Sequence, residues 1–138
     1  KPTSAKPGTD LTLSLSDRLD ATPLRMDRKQ WLRMKRGKTQ PEARIDLHGM
    51  TLAQAHPALT RFVVDAHDRG LRTVLVITGK GRTGLDMGTI PERRGVLTQQ
   101  VPHWLSSGPL RQIVQQVTEA HLRHGGAGAY YVRLRRRG

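Results

Sequence analysis

An acid and an imidazole stand two residues apart in the segment Asp46-Leu47-His48-Gly49. Side chains alternate along an extended strand, so Asp46 and His48 share one face and Leu47 points to the other. His48 can take or give a proton near neutral pH, while Asp46 can orient its ring or stabilise the imidazolium. Gly49 lets a substrate backbone come close. Taken alone, such a pattern fits a structural histidine better than a catalytic one, so other features must decide.

A glycine-rich segment, Gly79-Lys80-Gly81, directly follows an apolar run and is a second candidate. If the strands before it and before His48 are parallel neighbours, both segments emerge at the same edge of the sheet. Its glycines leave backbone N–H groups open to phosphate, and Lys80 adds a point charge. The Walker A pattern is absent, which argues against an ATPase and a nucleotide cofactor. A plain glycine turn is the simpler alternative.

The third candidate is the glycine-rich segment before the last strand, which we call the glycine corner: His124-Gly125-Gly126-Ala127-Gly128. Glycines at this density indicate positive φ angles or close backbone approach. His124 is either a second catalytic imidazole or a surface residue. The remaining histidines lack the spacing of a zinc site, so we expect no metal ligand set. One Mg²⁺ ion held by Asp46, water and substrate phosphate stays open, since Mg²⁺ often needs only one or two carboxylates.

The charge balance favours an anionic partner. Lys and Arg total 24 against 11 Asp and Glu, a formal charge of +13 that attracts polyanions such as nucleic acid. No apolar run approaches the roughly 18 residues that span a bilayer, and no helix pairs a basic face with bulky aromatics, so a membrane is not expected. The chain lacks cysteine and a secretory signal, which fits a cytoplasmic protein. It begins with Lys1 rather than Met, so whether the native N-terminus is present stays an open question.

Two regions are predicted, a basic N-terminal tail over 1–40 and a compact domain over 41–138. Residues 1–23 are rich in Lys, Pro, Thr and Ser, which is typical of disorder. A short helix is expected near 25–36, ending at Gly37. It is either an arm that faces nucleic acid or a ribosome, or a helix that docks Trp31 on the domain with its charges in solvent. Its basic residues are Arg25, Arg28, Lys29, Arg33, Lys35, Arg36 and Lys38.

The compact domain begins with a short strand at 45–48. Thr51 and Gln54 form a capping-box pattern at the start of a helix that stops at Gly70. Pro57 is a misfit inside it, so either the first turn is irregular or the regular helix starts at Pro57. The run 74–77 is apolar throughout, which is typical of a central strand covered on both faces.

The second half of the domain is less regular. Residues 82–94 are expected to form a mobile basic loop, followed by a helix over 96–105 that bends near Pro102. Residues 110–120 fit helical spacing and strand alternation about equally. Residues 130–134 alternate as a final strand with one basic face. The order β-α-β-α-β-β predicts an α/β fold with a four-stranded mixed sheet and two main helices.

Together these segments resemble the small MutS-related family, the Smr domain. The similarity covers about residues 42–136, and several motifs in order are more specific than any one alone. The matching segments are Ile45-Asp46-Leu47-His48-Gly49-Met50-Thr51, Val76-Ile77-Thr78-Gly79-Lys80-Gly81, Gly95-Val96-Leu97, Val101-Pro102-His103-Trp104-Leu105 and His124-Gly125-Gly126-Ala127-Gly128-Ala129-Tyr130-Tyr131-Val132.

The resemblance implies a two-layer α/β sandwich similar to the C-terminal domain of translation initiation factor three. It therefore makes residues 111–119 a strand. It also implies endonuclease activity on DNA or RNA, with ribosomes as partners of some members. Thr78 stands where many members have His, which removes one proton carrier. A binding module for structured nucleic acid or ribosomes, without catalysis, is the alternative.

The expected roles follow from the motifs and the resemblance together. Asp46, His48 and Lys80 are the predicted catalytic residues, with His48 as general acid or base. RNA transesterification by the 2′-hydroxyl would need no cofactor, whereas DNA nicking would favour Mg²⁺. The predicted nucleic-acid contacts are Gly49, Thr78, Gly79, Gly81, Arg82, Arg93, Arg94, His124, Gly125, Gly126 and Arg133.

Overall fold

The computed structural model describes residues 24–79 and 96–137. In that part of the chain the predicted order β-α-β-α-β-β is confirmed, and a short helix precedes it. Among the described residues, three 3₁₀ turns complete the connections: Gly108–Gln112, Leu122–His124 and Gly126–Gly128. The elements are α1 (Arg28–Lys35), β1 (Ala43–Asp46), α2 (Leu52–Asp68), β2 (Thr73–Ile77), α3 (Val96–Leu105), β3 (Val114–Glu119) and β4 (Ala129–Leu134).

The four strands form one mixed sheet in the order β1-β2-β4-β3. β1 runs parallel to β2, and β4 lies antiparallel to both β2 and β3. The apolar run of β2 lies between two other strands and is almost wholly buried, as its composition predicted. Because β1 and β2 are parallel neighbours, their carboxyl ends meet at one edge of the sheet.

Helix α2 begins at the predicted capping box. The Thr51 hydroxyl accepts from the backbone N–H of Gln54, and the Gln54 side chain accepts from that of Thr51. The open question about Pro57 is thereby answered, since the helix starts at Leu52 and includes Pro57 within it. The helix ends where Gly70 takes a φ of 79°, a conformation that glycine adopts without a Cβ clash.

The main core lies between the sheet and the two longer helices. Buried residues of α2 and α3 pack on alternate residues of β2 and β4, such as Val74, Val76, Val132 and Leu134. Such burial stabilises by roughly 25 cal/mol per Å² of apolar surface removed from water. No helix in residues 24–79 and 96–137 is long and apolar enough to cross a membrane.

The opposite face of the sheet is covered in part by α1. Met34 is 1% exposed and packs with Leu75 and Tyr131, and Trp31 lies against the same cluster. The backbone of Arg25 is held from both sides, since its N–H donates to Gln116 Oε1 at 2.6 Å and its carbonyl accepts from Gln115 Nε2 at 2.8 Å. The helix is therefore docked, with most of its basic side chains exposed. It adds a partial third layer to the two that we expected.

The ambiguous segment 110–120 divides in two. Gly108–Gln112 forms a 3₁₀ turn that buries Leu110, and the edge strand β3 follows from Val114 with a bulge before Gln116. The helical spacing is not realised, because pairing with β4 supplies backbone hydrogen bonds along the segment. The strand that the resemblance implied over 111–119 is confirmed for Val114–Glu119, whereas its first residues belong to the 3₁₀ turn.

Candidate nucleic-acid site at the edge of the parallel strands

Asp46 is the last residue of β1, whereas His48 lies in the turn that follows and not in a strand over 45–48 as we expected. The two side chains form a hydrogen-bonded pair. His48 Nδ1 lies 2.7 Å from Asp46 Oδ1, and the backbone N–H of His48 donates to the same oxygen at 3.0 Å. The hydrogen bond from the His48 side chain holds the pKa of the Asp46 carboxyl below its usual value. A proton on Nδ1 shared with this carboxylate leaves the lone pair of a neutral ring on Nε2. Both side chains are exposed, by 69% for His48 and 50% for Asp46, so the pair can meet a large ligand.

The loop after β2 lies directly beside this pair. Gly79 has a φ of 82°, and a Cβ built on it would lie 3.2 Å from the Cβ of His48. The N–H of Leu47 donates to the carbonyl of Ile77 at 2.7 Å, which continues the parallel pairing to the strand ends. The predicted approach of the two segments is thus present. Lys80, Gly81, Arg82, Arg93 and Arg94 lie outside the described residues.

Thr78 and Gly79 do not present the open hydrogen-bond donors that we expected. Thr78 is only 5% exposed, and its hydroxyl lies within hydrogen-bond distance of Thr98 Oγ1 and the carbonyls of Gly79 and Gly128. The N–H groups of Thr78 and Gly79 both donate to the Gly128 carbonyl, at 2.8 and 3.1 Å. These two amides are therefore occupied and are not open to phosphate. Their bonds instead tie the loop after β2 to the glycine corner before β4.

The glycine corner carries His124 on the same face of the sheet as α1. His124 Nδ1 lies 2.5 Å from the Tyr131 hydroxyl, which also accepts from the N–H of His121 at 3.3 Å. Burial, with the charges of Arg123, His121 and Arg44, lowers the pKa of His124 and favours its neutral form. Gly125 is exposed at a φ of 126°, whereas Gly126 is buried.

Arg133 is not brought to this edge. It pairs with Thr73 at the other end of β2, while Asp46 pairs with Ile77. Its guanidinium donates to Thr73 Oγ1 at 3.0 Å and to Gln30 Oε1 of α1 at 2.7 Å. The predicted contact residues therefore lie at two separate ends of the sheet.

Two residues near the site were missed by the sequence analysis. Arg44 is exposed, lies two residues before Asp46 on the same face, and is close enough to influence His124. Strand alternation could have identified it, because Arg44 and Asp46 have the spacing that linked Asp46 to His48. Tyr131 supplies the partner of His124, and only the fold reveals that contact.

The donors at this edge form a sparse set for a metal ion. No three His, Asp or Glu side chains converge anywhere in the described part of the chain. Asp46 Oδ1 already accepts two hydrogen bonds from His48. A Mg²⁺ ion at Asp46 would therefore need most of its ligands from water and substrate phosphate, a mode that Mg²⁺ commonly uses.

The four-stranded mixed sheet and the Asp46-Leu47-His48-Gly49 edge define an Smr-type α/β protein. The Smr domain family model matches residues 45–135, so the chain belongs to the Smr domain family. It is 30% identical over 104 residues to the "Probable DNA endonuclease SmrA" of Escherichia coli (strain K12), covering 75% of this chain and 51% of that protein.

A second curated relative matches a similar share of the chain. An uncharacterized protein of Treponema pallidum (strain Nichols) is 34% identical over 96 residues, which are 70% of this chain and 43% of that protein. The chain thus spans about half the length of these relatives.

Solved structures show the same fold. YdaL, a stand-alone small MutS-related protein from Escherichia coli, superposes with a TM-score of 0.58 at 28% identity, covering 91% of this chain and 94% of that one. The Smr domain of Thermus thermophilus MutS2 gives 0.54 at 27% identity, covering 67% of this chain and 98% of that domain.

Proposed function

We propose that this Smr protein binds nucleic acid and cuts its phosphodiester backbone as an endonuclease. The observation that carries the proposal is the exposed Asp46–His48 pair at the carboxyl edge of the parallel strands, beside Gly79. The net charge of +13 supplies the attraction for a polyanion. The name of the SmrA relative supports DNA as a partner.

In the proposed mechanism His48 transfers the proton, and Asp46 holds the His48 ring in position. On RNA, His48 Nε2 accepts the proton of the 2′-hydroxyl, and the 2′-oxygen attacks the adjacent phosphorus to form a 2′,3′-cyclic phosphate. The bond from phosphorus to the 5′-oxygen breaks, and that oxygen takes a proton from water. Asp46 holds the ring through Nδ1 and stabilises the imidazolium that forms. Lys80 and Arg82 are expected to hold the phosphate and balance its developing charge. This route uses no metal ion.

On DNA the nucleophile would be water, since the 2′-hydroxyl is missing. His48 would then take a proton from that water as its oxygen bonds to phosphorus, with Asp46 in the same positioning role. One ester P–O bond would break, and the leaving oxygen would take a proton from solvent water. A Mg²⁺ ion carried in with the substrate would supply Lewis-acid stabilisation of the phosphate. The two routes differ in their response to EDTA and to a single 2′-deoxy sugar at the cut site.

The decisive experiment incubates the wild-type chain and its His48→Ala variant with matched single-stranded, duplex and branched DNA and RNA, with and without Mg²⁺. Loss of a general acid or base should lower the cleavage rate by about 10²–10⁴-fold while most affinity remains. His56→Ala is the matched control, because it also removes a histidine, but one whose ring stacks on Trp104 of α3 and not on Asp46. Cleavage that persists unchanged in His48→Ala would refute the proposed role.

A binding module without catalysis is the second candidate. It is favoured by the docked α1, whose exposed Arg28, Lys29 and Arg33 enlarge the basic surface whether or not His48 is active. Its partner would be structured nucleic acid or a ribosome. Tight binding by the wild type, with no cutting of any substrate in either ionic condition, would favour this function over the nuclease.

A further inference from the structure

A second cluster of arginines lies at the end of the sheet opposite to His48, where β2 begins and β4 ends. Arg72, Arg136 and Arg137 line an open cleft of about 650 Å³ together with Gly70. Arg133 adjoins the cleft, because it pairs across the sheet with Thr73, the neighbour of Arg72. The charges of Arg72 and Arg136 also lower the pKa of Arg133. The proposed cleavage site uses none of these residues.

The two inner arginines of the cluster are held in place by the fold. Arg72 Nε donates to the carbonyl of Leu134 at 2.9 Å, and Nη2 lies 3.5 Å from Gln115 Oε1. Arg133 uses both terminal nitrogens on Thr73 and Gln30, as described above, and its buried Nε has no hydrogen-bond partner within the described residues. Fixed guanidinium groups lose little freedom when they bind an anion.

Within the described residues, Glu42 offsets the mutual repulsion of these arginines only in part. Burial, with the charges of Arg72 and Arg136, lowers the pKa of Arg133, against an opposing effect from Glu42. Glu42 Oε1 already accepts the backbone N–H groups of Arg72 and Thr73, at 2.6 and 3.0 Å. An anion in the cleft would relieve the repulsion among the guanidinium groups, and the exposed guanidinium groups of Arg136 and Arg137 suit phosphate oxygens.

We propose that this cleft is a second phosphate-binding site, which anchors the backbone of a nucleic acid whose other part lies at His48. The inference rests on the proposed function and names a further contact for it. Thr73 and Ile77 are four residues apart, which corresponds to roughly 13 Å along β2. At about 3.4 Å per nucleotide of one strand, a ligand needs about four nucleotides or more to reach both sites.

The test compares the full chain with the double variant Arg136→Gln/Arg137→Gln, whose two side chains are exposed. Arg61→Gln/Arg111→Gln is the matched control, because it removes two exposed charges from α2 and the 3₁₀ turn before β3. Fluorescence anisotropy with labelled RNA and DNA of about twelve nucleotides gives the dissociation constant at several salt concentrations.

The cleft variant should bind at least about tenfold more weakly at low salt, and its log–log salt slope should fall by roughly 1.4–1.8. The control should change affinity less than about threefold. Oligonucleotides of about three nucleotides occupy one site at a time, so the cleft substitutions should weaken their binding much less than that of the twelve-nucleotide ligand. Equal losses in the cleft variant and the control would overturn the anchor, as would binding of inorganic phosphate only.

The two proposals fail in different ways. A wild-type chain that binds nucleic acid without cutting it, and loses affinity in the cleft variant, supports the anchor and overturns the nuclease. A chain that cuts normally while both double variants bind equally well supports the nuclease and overturns the anchor. If an acidic peptide binds the cleft and oligonucleotides do not, the proposed ligand class is wrong.

Discussion

His48 and Asp46 are joined twice, because both the Nδ1 atom and the backbone N–H of His48 lie within 3.0 Å of the same Asp46 oxygen. A side chain bonded in this way has a fixed ring orientation without burial. The pair therefore combines two properties that a phosphodiester-cutting site needs, a defined proton acceptor and access for a large substrate.

The titration of Asp46 should report this contact. The hydrogen bond from His48 keeps the pKa of the carboxyl below its ordinary value of 3.8, so His48→Ala should raise it toward that value. A lowered folded-state pKa contributes stability above the ordinary value, and this contribution is lost as the pH falls through the lowered pKa. In His48→Ala, the free energy of unfolding should therefore no longer include the contribution of Asp46 that the wild type loses on acidification.

Carbon-13 NMR of the Asp46 carboxyl during acid titration measures the change directly. His56→Ala serves as the control, since its ring stacks on Trp104 and not on the acid. An Asp46 titration that is the same in wild type and His48→Ala would contradict the hydrogen bond described here.

Gly79→Ala should impair the site, whereas Gly70→Ala should only reduce stability. Both glycines have a φ near 80°, so each substitution should cost about 1–2 kcal/mol of backbone strain. Only the Cβ at position 79 meets the Cβ of His48, at 3.2 Å, while that at position 70 meets nothing within 4 Å. Urea unfolding should therefore show similar losses, and cleavage well below the melting temperature should fall only in Gly79→Ala. Equal cleavage by both variants would show that the contact with His48 has no effect.

The docked α1 should contribute to the stability of the whole domain. Met34 is 1% exposed, and truncating a buried Met to Ala costs about 2–5 kcal/mol. Lys29→Ala on the same helix removes an exposed side chain and should change stability by less than about 0.5 kcal/mol. Urea unfolding followed by tryptophan fluorescence gives both values. Coincident curves for the two variants would show that α1 is not part of the cooperative unit.

The features that sequence predicted well are those with local signals. The Thr51 and Gln54 capping box and the apolar run of β2 each depend on neighbours a few residues apart. Asp46 and His48 do meet, but through a turn after β1 and not through the strand alternation that we expected. The approach of the two strand ends also followed, because parallel neighbours place their carboxyl ends at one edge.

The remaining features depend on contacts between distant parts of the chain. The carbonyl that occupies the N–H groups of Thr78 and Gly79 belongs to Gly128, about 50 residues later. The backbone of Arg25, before α1, is held by the side chains of Gln115 and Gln116 of β3, and no periodicity records such a contact. Sequence therefore predicted which segments meet at this edge better than it predicted which of their backbone donors remain open.

Tyr131→Phe should disturb His124, and Tyr130→Phe should not. The Tyr131 oxygen accepts from the N–H of His121, so its own proton can be donated to His124 Nδ1, which places the proton of neutral His124 on Nε2. Without the hydroxyl this preference should weaken, and an Nε2–H contact to phosphate should lose roughly 0.5–1.5 kcal/mol. Nitrogen-15 NMR of the ring gives the tautomer, and oligonucleotide titration gives the affinity.

Tyr130 provides a control from the next position of β4. Its hydroxyl donates to the carbonyl of Thr98 at 2.6 Å, so Tyr130→Phe should cost about 1 kcal/mol of stability and leave the His124 tautomer unchanged. If Tyr131→Phe lowers stability as Tyr130→Phe does but keeps both the tautomer and the affinity of the wild type, Tyr131 only fills the core. If tautomer and affinity change together, the glycine corner presents His124 to the ligand through Tyr131, and its neutral ring acts as a hydrogen-bond donor to phosphate.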